Sequence, residues 1–225
     1  ERHNYNIGLR SAPLNQVVRM KDSITDTSEP SELFVLVRKM DCLEAAQSLH
    51  MFAKVAVLCM ANKGQPGGSV RQGHDSQEED LFRRTSLYRH TIEYQLGAQS
   101  PHEGTDPAAL IHHGVTIIRG PESQGYKFLD DVPPTITVIS SAIFKKPLLS
   151  KNELSYLDSH DKFNMKMTIR VMLQAVIQSE CAAMVLSAFG CGLHGHSPEE
   201  VAVMFQVRTL VNSSRHEHTQ RFPKI

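Results

Sequence analysis

The sequence predicts an α/β domain, with helices on both faces of a mixed, largely parallel central sheet. Three observations lead there. Short continuous apolar runs, such as Val55-Ala56-Val57-Leu58-Cys59-Met60, have the character of strands buried on both faces. Segments with helical periodicity alternate with them. Two glycine-rich turns, Asn62 to Ser69 and Phe189 to Gly195, each follow an apolar run. In such sheets ligands bind beyond the carboxyl ends of the strands, where both turns would lie.

Residues 1–32 are mixed and polar, end at Ser28-Glu29-Pro30-Ser31, and read as an N-terminal arm or irregular segment. Residues 33–225 read as the domain. Leu33-Phe34-Val35-Leu36-Val37 is expected as its first buried strand. Asp41 can cap a helix carrying Leu43, Ala46, Leu49 and Met51-Phe52. Val55 to Met60 is the next strand, and a helix follows from about Ser76 to Tyr88. Gly97 to Pro107 has the composition of a surface loop. Val115 to Ile118 and Thr135 to Ile139 are further strands, separated by Gly120-Pro121 and Pro133-Pro134.

A long helix from Phe163 to Ser179 places Met165, Ile169, Met172, Leu173, Val176 and Ile177 on one face. Ala183 to Leu186 is another strand. Ser197-Pro198-Glu199-Glu200 opens a helix with capping-box spacing and proline at its first position. Arg221 to Ile225 resembles a last strand only beginning.

Composition excludes several classes. Acids and bases balance at 24 each, so nothing marks a nucleic-acid or acidic-lipid surface. No apolar stretch approaches the roughly 20 residues of a membrane helix. The polar start, Glu1-Arg2-His3-Asn4, is not a signal peptide and fits an excised or processed fragment. Cys42, Cys59, Cys181 and Cys191 have no close spacing, so reduced thiols in a cytoplasmic or nuclear protein are expected.

The turns and the acids carry the chemistry. Glycine lets a backbone approach a ligand closely, since no Cβ intervenes. The turn from Phe189 to Gly195 leads through His196 into a helix start, where amides and dipole favour an anion. Gly190 and Gly192 would let amides close around a diphosphate, and the pair of turns suggests a nucleotide-like ligand. The competing account is a tight turn needing glycine for positive φ alone. Beyond the first turn stand Glu78, Glu79 and Asp80. They suit proton chemistry on whatever the turn holds. Equally, Ser76 and Glu79 have the spacing of a capping box, with Glu78 and Asp80 complementing the helix end. Glu78 and Glu79 cannot flank one bond as a glycosidase pair does, because neighbours on a helix point about 100° apart. One acid would transfer the proton and the other hold the substrate.

Twelve histidines include His112-His113, His194-x-His196 and His216-x-His218, none at a recognised metal-ligand spacing. They read as loop histidines in solvent. Ser140-Ser141 and Ser187 lack a nucleophile-elbow pattern.

Val55 to Asn62, then Pro66-Gly67-Gly68-Ser69 and, after seven intervening residues, Gln77-Glu78-Glu79 together resemble the signature of poly(ADP-ribose) glycohydrolases. Asp80 to Tyr88 and Ala188-Phe189-Gly190-Cys191-Gly192 point to the microbial-type branch, with the likeness running from about Val37 to Phe205. The resemblance implies a three-layer α/β/α macrodomain-like fold. It implies Glu79 as general acid and then base at the anomeric carbon of the distal ribose, with Glu78 bonding ribose hydroxyls or the leaving group. Asn62 would hold ribose hydroxyls, and Gly67, Gly68 and Ser69 would approach ribose and diphosphate. Gly190, Cys191 and Gly192 would contact the diphosphate, and the ligand-binding set extends to Gln77, Phe189, Leu193 and His194. No metal or other cofactor is implied. Ser69 departs from the family's third loop glycine, and His194 from its common aromatic. The expected function is hydrolysis of O-glycosidic ADP-ribose bonds, with ADP-ribose, poly(ADP-ribose) or ADP-ribosylated protein as partner. The alternative is a non-catalytic module that binds ADP-ribose.

Overall fold

The computed structural model describes residues 15–19, 35–92, 107–130, 134–143, 146–152 and 154–211. The strands are β1 (Asn15–Arg19), β2 (Val55–Ala61), β3 (Ala108–Thr116), β4 (Thr135–Ala142) and β5 (Ala183–Val185). They form a sheet in the order β1-β3-β4-β2-β5. β2 pairs in parallel with β4 and β5, while β3 runs antiparallel to both β4 and β1. Four strands therefore share one direction and β3 opposes them, a mixed sheet with a parallel majority.

The helices are α1 (Cys42–His50), α2 (Gln77–Arg84), α3 (Leu87–His90), α4 (Ser159–Gln178) and α5 (Pro198–Val211). β2 shows how the layers arise. Ala56 and Leu58 enter one core with Met165, Ile169 and Met172 of α4 and Val201 and Met204 of α5. Val55, Val57 and Cys59 enter a second core with Leu43 and Ala46 of α1, Leu81 and Phe82 of α2 and Leu87 of α3. A strand covered on both faces needs apolar residues at every position, hence its unbroken run. The result is the expected α/β/α sandwich.

β3 changes faces midway. Its register against β4 shifts between His112 and Val115, where Gly114 has φ +67°. Ala109 and Ile111 face the α4 core, and the extra residue of the bulge turns Val115 to the opposite core.

Several expectations change. Residues 15–19, read as part of an irregular arm, form the edge strand β1. The strand expected over Leu33 to Val37 is not formed in its described part. Val35 and Leu36 are 59% exposed, and Val37 more so, and among the described residues no strand pairs with them. The helix expected from Ser76 to Tyr88 divides. Thr85 is extended, at φ −132°, and bridges Ile117, and α3 restarts at Leu87. Threonine's branched Cβ suits that extended backbone. Met51 and Phe52 lie beyond α1 and are exposed. Phe163 and Ile177 of α4 are about half exposed, while Thr168, Val171 and Ala175 complete its buried face. The start of β3 precedes the expected strand at Val115, since the run Ala108 to Ile111 belongs to it. Most of the Gly97 to Pro107 loop and the strand at Arg221 to Ile225 lie outside the described residues.

Candidate active site

Both glycine-rich turns leave the carboxyl ends of adjacent parallel strands, β2 and β5. Ala61 ends β2, and the Asn62 side-chain oxygen accepts from the amides of Gly64 and Gln65, both at 3.0 Å. This local ring turns the chain sharply. Gly67 and Gly68 have φ +83° and +49°, the left-handed region that suits glycine. Sterics add a second requirement. A Cβ on Gly67 would lie 2.6 Å from the Phe82 ring, and one on Gly68 would lie 2.4 Å from Oε1 of Glu79. Ser69 has φ −103°, so a side chain there carries no backbone strain.

α2 delivers its acids to this turn from below. Glu78 is buried, and its two carboxylate oxygens accept from Asn62 N at 2.7 Å and Gly67 N at 2.8 Å. Burial pushes its carboxyl up to about 7, against the lowering effect of those two N–H groups. Glu79 is buried as well, at 6% exposure. Oε1 accepts from Ser69 N at 2.9 Å and Oε2 from the Ser76 hydroxyl. Burial pushes this carboxyl up too, but the Ser76 hydroxyl and the Ser69 amide outweigh it and hold Glu79 below the ordinary range. The capping-box expectation fails here. Ser76 occupies the N-cap position, yet its hydroxyl turns to the Glu79 carboxylate and takes no helix amide.

The other polar residues of α2 serve the scaffold. β5 pairs with β2 only up to Val57, which leaves Leu58 O and Met60 N at an open edge. The Gln77 amide takes both, at 2.5 and 2.8 Å, and so continues the ladder. Both ends of that amide face β2, although Gln77 was expected among the ligand contacts. Asp80 and Asp41 each meet the buried Arg84 guanidinium, at 2.8 and 2.9 Å. Asp41 also caps α1 through Leu43 N and Glu44 N.

The second turn is built differently. Phe189 is fully buried in the α4 core, so it supports the turn from beneath. Gly190 has φ +78°, and a Cβ there would meet Ile143 at 2.8 Å and the His196 ring at 3.0 Å. His196 N donates to Gly190 O at 3.0 Å, and Gly195 N to Gly192 O at 2.8 Å. Among the described residues, no internal bond of the turn uses the amides of Gly192, Leu193 and His194. A Cβ on Gly192 would face open space, and Leu193 is 91% exposed. These three amides are left for a partner outside the turn. Ser197 then accepts from Glu200 N at 3.3 Å, with Pro198 opening α5 as expected.

The histidines correct the solvent reading. His112 is buried on β3, 3.0 Å from the Ser140 hydroxyl, and both line a small cavity with Glu78, Thr91, Pro66 and Phe82. His196 is buried against Tyr156. His194 is exposed, and His216 and His218 lie outside the described residues. The apolar run Ala108-Ala109-Leu110-Ile111, carried one residue further, would have placed His112 inside a strand. Tyr156 offered no sequence signal. None of the four cysteines forms a disulfide. Among the described residues no cluster of three His, Cys, Asp or Glu side chains is placed to hold a metal, and no helix is long and apolar enough to cross a membrane.

Poly(ADP-ribose) glycohydrolase from Thermomonospora curvata superposes with a TM-score of 0.64 at 22% identity, covering 85% of this chain and 72% of that one. The same enzyme bound to the inhibitor ADP-HPD gives 0.58 at 24%, covering 73% and 62%. Poly(ADP-ribose) glycohydrolase from Deinococcus radiodurans in complex with ADP-ribose gives 0.57 at 21%, covering 77% and 69%. At these identities the likeness establishes the shared fold, and the chain spans 62% of the length of the inhibitor-bound structure. No curated protein matches the chain. The family model described as microbial-type PARG, catalytic domain, matches residues 7–119, just over half the sequence and inclusive of the first glycine turn and its acids. The chain belongs to the microbial-type PARG catalytic-domain family.

Proposed function

We propose that the protein hydrolyses O-glycosidic ADP-ribose bonds, in poly(ADP-ribose) or at protein-linked ADP-ribose, with Glu79 as general acid and base. The observation that carries this reading is the junction of Glu79 with the first turn. Its carboxylate touches Ser69 N and leaves room only for glycine at position 68. A ribose resting on Gly67, Gly68 and Ser69 would therefore sit against that carboxylate. Asn62 would meet the ribose hydroxyls. Gly190, Cys191, Gly192 and the exposed Leu193 and His194 would receive the diphosphate and distal ribose. The relatives solved with ADP-ribose and with ADP-HPD support the ligand class.

In this reading Glu79 protonates the oxygen leaving the anomeric carbon and afterwards takes a proton from the attacking water. Its carboxyl is held low in the free protein. Substrate phosphates and exclusion of water raise it on binding, which prepares it as an acid. Glu78 is tied to two loop amides and holds the turn in shape. The four unpaired thiols support a cytoplasmic or nuclear location.

The test incubates the protein and Glu79→Gln with poly(ADP-ribose) and with mono-ADP-ribosylated protein. Wild type is expected to release ADP-ribose. The variant should lose at least about 10²-fold in turnover, the scale of a general acid–base group, and keep ADP-ribose affinity within a few fold. Equal turnover removes Glu79 from the mechanism. Tight binding without release by either protein would make the chain a reader.

A further inference from the structure

We propose that Tyr156 and His196 are positioning residues that hold the second glycine turn in the shape that receives a diphosphate. This rests on the ADP-ribose reading above and goes beyond it, since neither side chain belongs to the ligand-facing set.

His196 closes the turn on itself through its amide bond to Gly190 O. Its ring then lies where a Gly190 Cβ would be, so ring and glycine backbone fit as one unit. The orientation of that ring is set from outside the turn. The Tyr156 hydroxyl lies 2.7 Å from His196 Nδ1, and the two rings meet at 5.8 Å between centroids with a 60° tilt. Tyr156 belongs to a separate hairpin, where it bridges Leu149, Leu157 N donates to Leu148 O at 2.9 Å, and Ser150 N donates to Ser155 O at 2.9 Å. A second tie joins the same two pieces, from the Ser197 hydroxyl to Leu154 O at 3.0 Å.

The hairpin thus grips the last two residues before α5, and through His196 it fixes the peptide planes at Gly190. The amides from Gly192 to His194 hang between this fixed end and the Gly195 amide bond to Gly192 O. Their direction depends on the imidazole staying where it is. The phenol ring packs whether or not its hydroxyl is present, so removing the oxygen tests orientation separately from packing.

The experiment measures ADP-ribose affinity by calorimetry, and kcat and KM on poly(ADP-ribose), for wild type, Tyr156→Phe, His196→Ala and His196→Asn. Tyr156→Phe and His196→Ala are expected to raise Kd and KM about tenfold, the scale of one hydrogen bond. In Tyr156→Phe, kcat should stay near wild type, and Tm should fall by no more than the few degrees that one lost hydrogen bond costs. His196→Asn should restore affinity, because its side-chain amide reaches the position of Nδ1. Wild-type Kd and KM in Tyr156→Phe, or a loss of kcat with KM unchanged, would overturn the positioning role while leaving the ADP-ribose reading intact. Failure of the wild type itself to bind ADP-ribose would overturn that reading and this inference with it. If His196→Ala does not fold, Tyr156→Phe and His196→Asn decide the matter.

Discussion

Glu78 and Glu79 are adjacent, yet a helix turns about 100° between them, and the two carboxyls meet different surroundings. Glu78 points into the core, and its pKa is raised from an ordinary 4.5 to about 7 because burial outweighs two amide donors. Glu79 points into the turn, where the Ser76 hydroxyl and Ser69 amide outweigh burial and lower it. The sign for stability follows. A raised Glu78 favours the folded state in full below about pH 4.5, and that contribution is lost as pH rises toward 7. At 1.36 kcal/mol per unit the loss is at most about 3 kcal/mol. Denaturation of the wild type between pH 5 and 7 is therefore expected to show falling stability as pH rises, and Glu78→Gln should flatten that slope. An unchanged slope in the variant would assign the proton to another group. The lowered Glu79 acts oppositely, adding stability above its ordinary value and losing it only in acid.

α2 connects more of the molecule than its eight residues suggest. Gln77 extends β2, Glu78 and Glu79 hold the first turn, and Arg84 joins Asp80 of α2 to Asp41, the cap of α1. Arg84 is 2% exposed, while its two partners are each about a quarter exposed. Arg84→Met leaves those acids facing each other without a cation. The expected loss is about 2–3 kcal/mol at pH 7, below the roughly 3–5 of a fully buried pair. Burial raises the Asp41 carboxyl, but Arg84 and the α1 amides outweigh it and hold it below its ordinary value. The stability it gives is present above that value and lost as pH falls through the depressed one. The difference between variant and wild type should accordingly shrink near pH 3, and an equal loss at both pH values would deny the ion pair its role. Of all this the sequence disclosed the local part. Asp41 as cap, β2 as a two-faced buried strand and proline opening α5 follow from short-range rules. The first turn, its acids and the second turn were legible as motifs because their residues lie close together in the chain. Long-range partners were not: nothing near Ser76 says that its hydroxyl prefers Glu79 to a helix amide, and nothing near His196 names Tyr156. Val35 to Val37 misled because an apolar run predicts burial only where a neighbouring strand covers it, and among the described residues none pairs with them.

At the scale of the whole molecule β1 covers the outer side of β3. β3 sits beside β4 on one side, and β1 pairs with its other side over five residues, from Asn15 opposite His112 to Arg19 opposite Ala108. Val18 is fully buried there and joins the core formed by α4, and Gln16 reaches Gln178 at the end of α4 at 3.2 Å. An uncovered β3 edge would expose unpaired amides and carbonyls, a template for aggregation. Residues 15–19 therefore contribute to the domain's energetics, although their polar surroundings in the sequence resembled an arm. Val18→Ala removes two buried carbons and is expected to lower stability by about 1.5 kcal/mol. For a domain of this size that is a fall in Tm of about 3–6 °C. Gln16→Ala, at an exposed position of the same strand, should change Tm little. Turnover in both variants should remain near wild type, because β1 lies at the opposite edge of the sheet from β2 and β5, whose ends carry the turns. A Val18→Ala protein as stable as wild type would return residues 15–19 to the status of an arm lying outside the folded core.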